Sequence, residues 1–156
     1  MNSNTDGFSA ETLAQLGALE AVPELVADKG TNSTSLDKYA LNLSGKIYLR
    51  VGVDLADPTG YVFEATKGDT TTTYNVADYP ASGATIAITY EGFMASELDK
   101  EVTFTLKNAN GEVIDTLTVS ANAYLYSASI STNEKLATLA KALYAYGEAA
   151  KAFVAK

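Results

Sequence analysis

The closing stretch of the chain, Ser131 to Lys156 (STNEKLATLAKALYAYGEAAKAFVAK), restricts the fold more than any other. Leu136, Leu139, Leu143, Tyr146, Ala150 and Phe153 recur at steps of three and four, which places them on one face of an α-helix. Ser131 is placed to cap that helix with its hydroxyl, and Glu134 to answer with the reciprocal capping-box bond. So small-residue-rich a helix does not make a free coiled coil, and its apolar stripe must lie on another part of the chain. The residues before it, which alternate as strands do, are the obvious support.

In that earlier region the hydrophobic period is two. Tyr39, Leu41 and Leu43 lead into a turn at Ser44-Gly45, after which Ile47, Leu49, Val51 and Val53 face one way. Tyr48, Arg50, Gly52 and Asp54 face the other, making this the clearest strand of the chain. Asp57-Pro58-Thr59-Gly60 reads as a turn with proline at a favoured position. Tyr61–Thr66 and Thr71–Val76 read as a hairpin around Lys67-Gly68-Asp69, and Thr85–Tyr90 as a further strand. Glu91–Lys100 reads as a short helical turn or crossover, Val102–Leu106 and Glu112–Ser120 as a hairpin around Asn108–Gly111, and Tyr124–Ile130 as one helical turn.

Ahead of the strands, residues 1–8 read as a flexible leader, and Leu13, Leu16, Leu19 and Val22 as the stripe of a short helix that Pro23 ends. Lys29–Ser35 is a Gly/Ser/Thr/Asn loop. The expectation is an α+β fold. Six or seven strands form an antiparallel β-sheet or small β-sandwich core over about 38–121, with a short N-terminal helix. A C-terminal amphipathic helix (132–154) packs on a sheet face or edge, all within a single module, 9–156.

A chain of 156 residues buries roughly 70% of its unfolded surface as one domain. Its net charge of −8 repels phosphate backbones and anionic bilayers, so neither nucleic acid nor membrane is expected as a partner. With no Cys, a secreted form would owe its stability to packing rather than disulfides. With no His as well, nucleophilic triads and His/Cys zinc sites are ruled out, and no phosphate-cradling glycine motif occurs. A glycosidase-type carboxylate pair drawn from Glu64, Asp69, Glu91, Glu97 and Asp99 is the remaining catalytic option. Scattered acids are ordinary in so acidic a chain, and such enzymes need larger scaffolds; the expectation is therefore no catalysis and no cofactor. Calcium candidates are Asp54 and Asp57, and the loop carrying Asn108, Asn110 and Glu112, whose Asn-x-Asn-Gly pattern reads better as a hairpin turn.

Tyrosine is the unusual feature: ten Tyr and five Phe with no Trp. A tyrosine offers a rigid face for a pyranose ring and a hydroxyl for its polar edge. Tyr48, beside Arg50 on the polar side of its strand, and Tyr74 on the 61–76 hairpin form the candidate ligand-binding set. Exposed, coplanar tyrosines with Asp, Asn or Arg between them would favour sugar binding. Tyrosines turned into the core would favour a structural spacer or a protein–protein interaction module.

Several segments together resemble a family of accessory modules. They are Leu43-Ser44-Gly45-Lys46-Ile47, Thr89-Tyr90-Glu91-Gly92-Phe93-Met94, the turn Asn108–Gly111 and, above all, Leu139–Ala150 (LAKALYAYGEAA). The family occurs, often in tandem, in large secreted or surface-attached proteins of clostridia and ruminococci, and ends in a VKALLNYGAAAQxYF-like helix. Ala149-Ala150-Lys151-Ala152-Phe153 is similar to that tail, and Asn4-Thr5-Asp6 resembles the linker between tandem copies. The resemblance covers Leu41 to Val154. It implies a non-catalytic module of a Gram-positive anaerobe, extracellular or at the cell surface. Such modules are appended to polysaccharide-degrading or adhesive proteins, with polysaccharide, cell-surface glycan or neighbouring modules of the parent chain as partners. It carries over no ligand residues.

Overall fold

The computed structural model describes residues 19–30, 36, 38–43 and 47–155. The leader, most of the expected N-terminal helix, most of the 29–35 loop and the turn at 44–45 lie outside the described residues. Residues 19–27, which hold the end of that expected helix, are not helical, although Val22 is buried.

Period-two alternation becomes strand wherever it was expected. The strands are β1 (Asp28–Lys29), β2 (Lys38–Leu43), β3 (Ile47–Asp54), β4 (Val62–Lys67), β5 (Thr70–Asn75), β6 (Ala81–Ser82), β7 (Thr85–Tyr90), β8 (Val102–Lys107) and β9 (Val113–Val119). They form two sheets, ordered β1-β9-β8-β4-β5 and β2-β3-β7-β6, in which every pairing is antiparallel. β4 and β5 are joined by the two-residue turn Gly68-Asp69, where Gly68 takes the positive φ (59°) that such a hairpin requires.

The sheets share one core, so the fold is a β-sandwich with helices added. Leu49, Val51 and Val53 of β3 and Ile86 and Ile88 of β7 meet Phe63, Phe104, Leu106 and Leu117 of the larger sheet. Phe63 and Phe104 stack with ring centroids 5.3 Å apart, and Tyr90 meets Phe104 edge-on at 5.8 Å. Each such side chain contributes about 1.5–3 kcal/mol of burial. The crossover 91–100 contains a 3-10 turn (Ala95–Glu97) tied down by Lys67. The Lys67 ammonium donates to the Gly92 carbonyl and to both Glu97 carboxylate oxygens at 3.1 Å, and lies 5.6 Å from the centre of the Phe93 ring.

Two helices close the chain, α1 (Ala121–Ser129) and α2 (Glu134–Val154). α1 is longer than the single turn expected, because Ser120 caps it by accepting from Ala123 N–H at 3.1 Å. The cap of α2 is Asn133, which accepts from Leu136 N–H at 3.2 Å, rather than Ser131, whose hydroxyl accepts from Asn133 N–H instead. α2 is docked, but not flat on a sheet. It lies against α1 and the 3-10 turn, while α1 contacts β2. Its inward face also differs from the expected stripe. Ala140 and Gly147 are its buried positions, whereas Tyr146 and Phe153 are 60% and 77% exposed. A Cβ on Gly147 would lie 2.5 Å from Leu98 Cδ1, so only glycine lets α2 come this close to the buried Leu98. Lys151 near the helix end pairs with Asp99 at 2.8 Å and holds that carboxyl below its ordinary value.

Candidate functional site

The alternation that drives Leu49, Val51 and Val53 inward sends Tyr48, Arg50, Gly52 and Asp54 to the outer face of the smaller sheet. Strand register then sets their neighbours. Asn42 lies opposite Tyr48; Ala40, Arg50 and Thr89 form the next row. Lys38, Gly52 and Ala87 form a third, and Asp54, Thr85 and Ser82 a fourth. Ala40, Gly52 and Ala87 are too small to fill the space above the sheet. The result is a depression of about 380 Å³, edged by Lys38, Arg50, Ser82 and Thr85. A Cβ on Gly52 would sit 3.1 Å from the Thr85 methyl and 3.2 Å from Lys38 Cβ, so the floor is close to as deep as this pairing permits.

Charge is unevenly settled across this face. Asp54 accepts from Lys38 Nζ at 2.8 Å and from Thr85 Oγ1 at 2.6 Å, and those two bonds, Lys38 first, hold its carboxyl below the usual value. Arg50, the chain's one arginine, is exposed and has no hydrogen-bond or ion-pair partner among the described residues.

Of the candidate ligand residues, Tyr48 and Arg50 therefore share one face, with Tyr48 half-buried rather than open. Tyr74 belongs to the other sheet. Its ring meets Phe63 at 5.8 Å and Tyr79 at 6.0 Å, and burial pushes its hydroxyl up to about 12. The other tyrosines follow Tyr74 more than Tyr48. Tyr39, Tyr61 and Tyr79 pack on the sandwich core, Tyr90 is buried in it, and Tyr124, Tyr126 and Tyr144 pack on a second cluster under α2. Tyr146 is the one exposed tyrosine among the described residues, so no pair of open, coplanar rings is formed among them.

The remaining candidates hold structure. Asp57 accepts the backbone N–H of Thr59 at 3.0 Å, closing its own turn. Asn108 Oδ1 accepts from the N–H groups of Asn110 and Glu112, and its amide donates to Glu112 at 2.7 Å, which is the hairpin-turn arrangement. Among the described residues no three acidic side chains are gathered to hold a metal ion. Glu64 pairs with Lys107 at 2.9 Å, Glu97 with Lys67 at 3.1 Å and Asp99 with Lys151 at 2.8 Å, so three of the five acids considered for catalysis are held by lysines.

A second cleft of about 380 Å³ opens between residues 25–29 and α1, with Tyr39, Tyr124 and Tyr126 on its walls and Leu25, Val26 and Ile130 at its exposed rim. Tyr39 and Tyr124 meet edge-on at 6.1 Å, and burial, then Tyr124, raises the Tyr39 hydroxyl above its ordinary value. No protein-family model, curated protein or solved structure matches the chain.

Proposed function

We propose that this is a non-catalytic, extracellular accessory module of a larger secreted or surface-attached protein, and that it binds polysaccharide or cell-surface glycan across the outer face of its four-stranded sheet. The depression floored by Ala40, Gly52 and Ala87 is the observation that carries this reading. It is shallow and open along the sheet, as a site for a polymer must be, and its floor is apolar enough to accept the C–H face of a sugar ring. Arg50 and Ser82 at its edge supply donors for sugar hydroxyl groups, Ser82 and Thr85 supply acceptors, and Tyr48 with Asn42 extends the face beyond Arg50. The tandem accessory modules that the sequence resembles are appended to polysaccharide-degrading or adhesive proteins of Gram-positive anaerobes, which supports secretion and a non-catalytic role.

Affinity electrophoresis through gels containing plant and cell-wall polysaccharides tests it. Ala87→Leu, which fills the depression, and Tyr48→Ala should each weaken the retardation given by a binding polymer. Retardation that survives Ala87→Leu unchanged would place binding elsewhere.

A second reading, a spacer or protein–protein module, is favoured by a separate observation. Tyr146, Phe153 and Val154 stand 60%, 77% and 67% exposed on the last turns of α2, and most tyrosines face inward. Large apolar side chains collected at one helix end suit contact with a neighbouring module of the parent chain. This reading requires that no polysaccharide retards the protein.

A further inference from the structure

We infer that the depression on the four-stranded sheet recognises an acidic glycan, with Arg50 binding the carboxylate of a uronic acid unit. This rests on the glycan-binding reading above and names the sugar class that the site takes. The chain has an excess of eight negative charges, yet its single arginine has no ion-pair or hydrogen-bond partner among the described residues. Asp54, on the same face of β3, is engaged by Lys38 at 2.8 Å and by Thr85 at 2.6 Å. Lys38 and Asp54 offset one another, so among the described residues that edge the depression the Arg50 guanidinium is the charge left without a partner.

A planar guanidinium with its donors unused matches a planar carboxylate, which it binds through two parallel N–H···O bonds. The groups around it fit the remainder of a sugar residue. Ser82 and Thr85 border the same depression on its β6 and β7 side, and the small side chains of Ala40 and Ala87 leave its floor open between them and Arg50. A neutral glycan would use the hydroxyl contacts and leave the guanidinium unpaired. A general polyanion would use the charge but none of the hydroxyl contacts. A uronate polymer uses both.

The experiment compares the parent protein, Arg50→Gln and Arg50→Lys in affinity gels holding polygalacturonate, the same polymer fully methyl-esterified, neutral galactan, or poly-glutamate. Arg50 is exposed at a sheet surface, and an unchanged thermal melt shows that each variant is folded. The expected result is retardation of the parent by polygalacturonate and its loss on methyl esterification. Arg50→Gln should weaken it about tenfold or more, with Arg50→Lys intermediate because an ammonium cannot form the paired bonds. Retardation of Arg50→Gln equal to the parent's overturns the inference, as does poly-glutamate acting as strongly as polygalacturonate. Retardation by galactan alone also overturns it, while leaving glycan binding in place. A parent protein that no glycan retards removes both together.

Discussion

The sandwich and the helical layer achieve burial in opposite ways. Inside the sandwich the side chains are large: Phe63, Phe104, Leu49, Ile86, Ile88, Leu106 and Leu117 are almost wholly enclosed, and the two phenylalanines continue into an aromatic chain with Tyr74, Tyr79 and Tyr90. Under α2 the buried positions are mostly small, Ala121, Ala128, Ala140 and Gly147, with Val22, Leu98 and Leu125 as the larger members. There, backbones approach closely and little apolar surface is removed per residue; an apolar groove of about 80 Å³ persists between α1 and α2, bordered by Leu125, Leu136, Leu139 and Leu143. One region depends on volume being present and the other on volume being absent. Each should therefore be fragile to the substitution that the other tolerates.

The largest effect is expected from Phe104→Ala, which removes a ring that two other aromatic rings touch. A loss of about 3–5 kcal/mol by urea unfolding is expected. A cost below about 1 kcal/mol would show that the sandwich is not the volume-dependent partner in this comparison. Next comes Gly147→Val, where the added carbons meet Leu98. It should cost about 1–3 kcal/mol by overpacking and separate α2 from the 3-10 turn without disturbing the sheets. Unchanged stability would mean that α2 can stand further off at no cost.

The smallest effect concerns protons. Tyr74 is held neutral by burial, with its hydroxyl raised to about 12 against about 10 in an unfolded chain. A raised value in the folded state means that this contribution to stability is whole below pH 10. It falls away as pH rises toward 12, because only the unfolded chain then gives up the proton easily. Titration followed at 295 nm should show a late-ionising fraction, absent in urea and reduced in Tyr74→Phe. Ionisation of every tyrosine near pH 10 in the native protein would contradict the packed ring.

How much of this is legible from the chain depends on the distance between interacting residues. Within β3, alternation alone separates Leu49, Val51 and Val53 from Tyr48 and Arg50, and both halves of the reading hold. The hairpins at 67–70 and 107–113 are likewise local and readable. β1 and β6, two residues each, carry no periodic signal. On α2 the spacing of large apolar residues points to Tyr146 and Phe153, whereas the packed face is centred on Ala140 and Gly147. Hydrophobic periodicity weights big side chains, but close helix packing selects small ones, and the two criteria rotate the helix differently. The site shows the same limit. Arg50 is placed by its own strand, but Ser82, Thr85 and Ala87 join it only through a pairing between strands more than thirty residues apart, and no local pattern encodes that register. β5, TTTTYN, has no alternation to say which way Tyr74 turns, and it turns inward.

The division of the tyrosines between the two packing regions has a spectroscopic consequence. Without tryptophan, near-ultraviolet dichroism and emission come from phenol and phenyl rings alone. Tyr61, Tyr74 and Tyr79 report on the sandwich, and Tyr124, Tyr126 and Tyr144 on the helical layer. Single Tyr→Phe replacements can therefore assign each part of the signal, and show whether the helices melt before the sheets or with them.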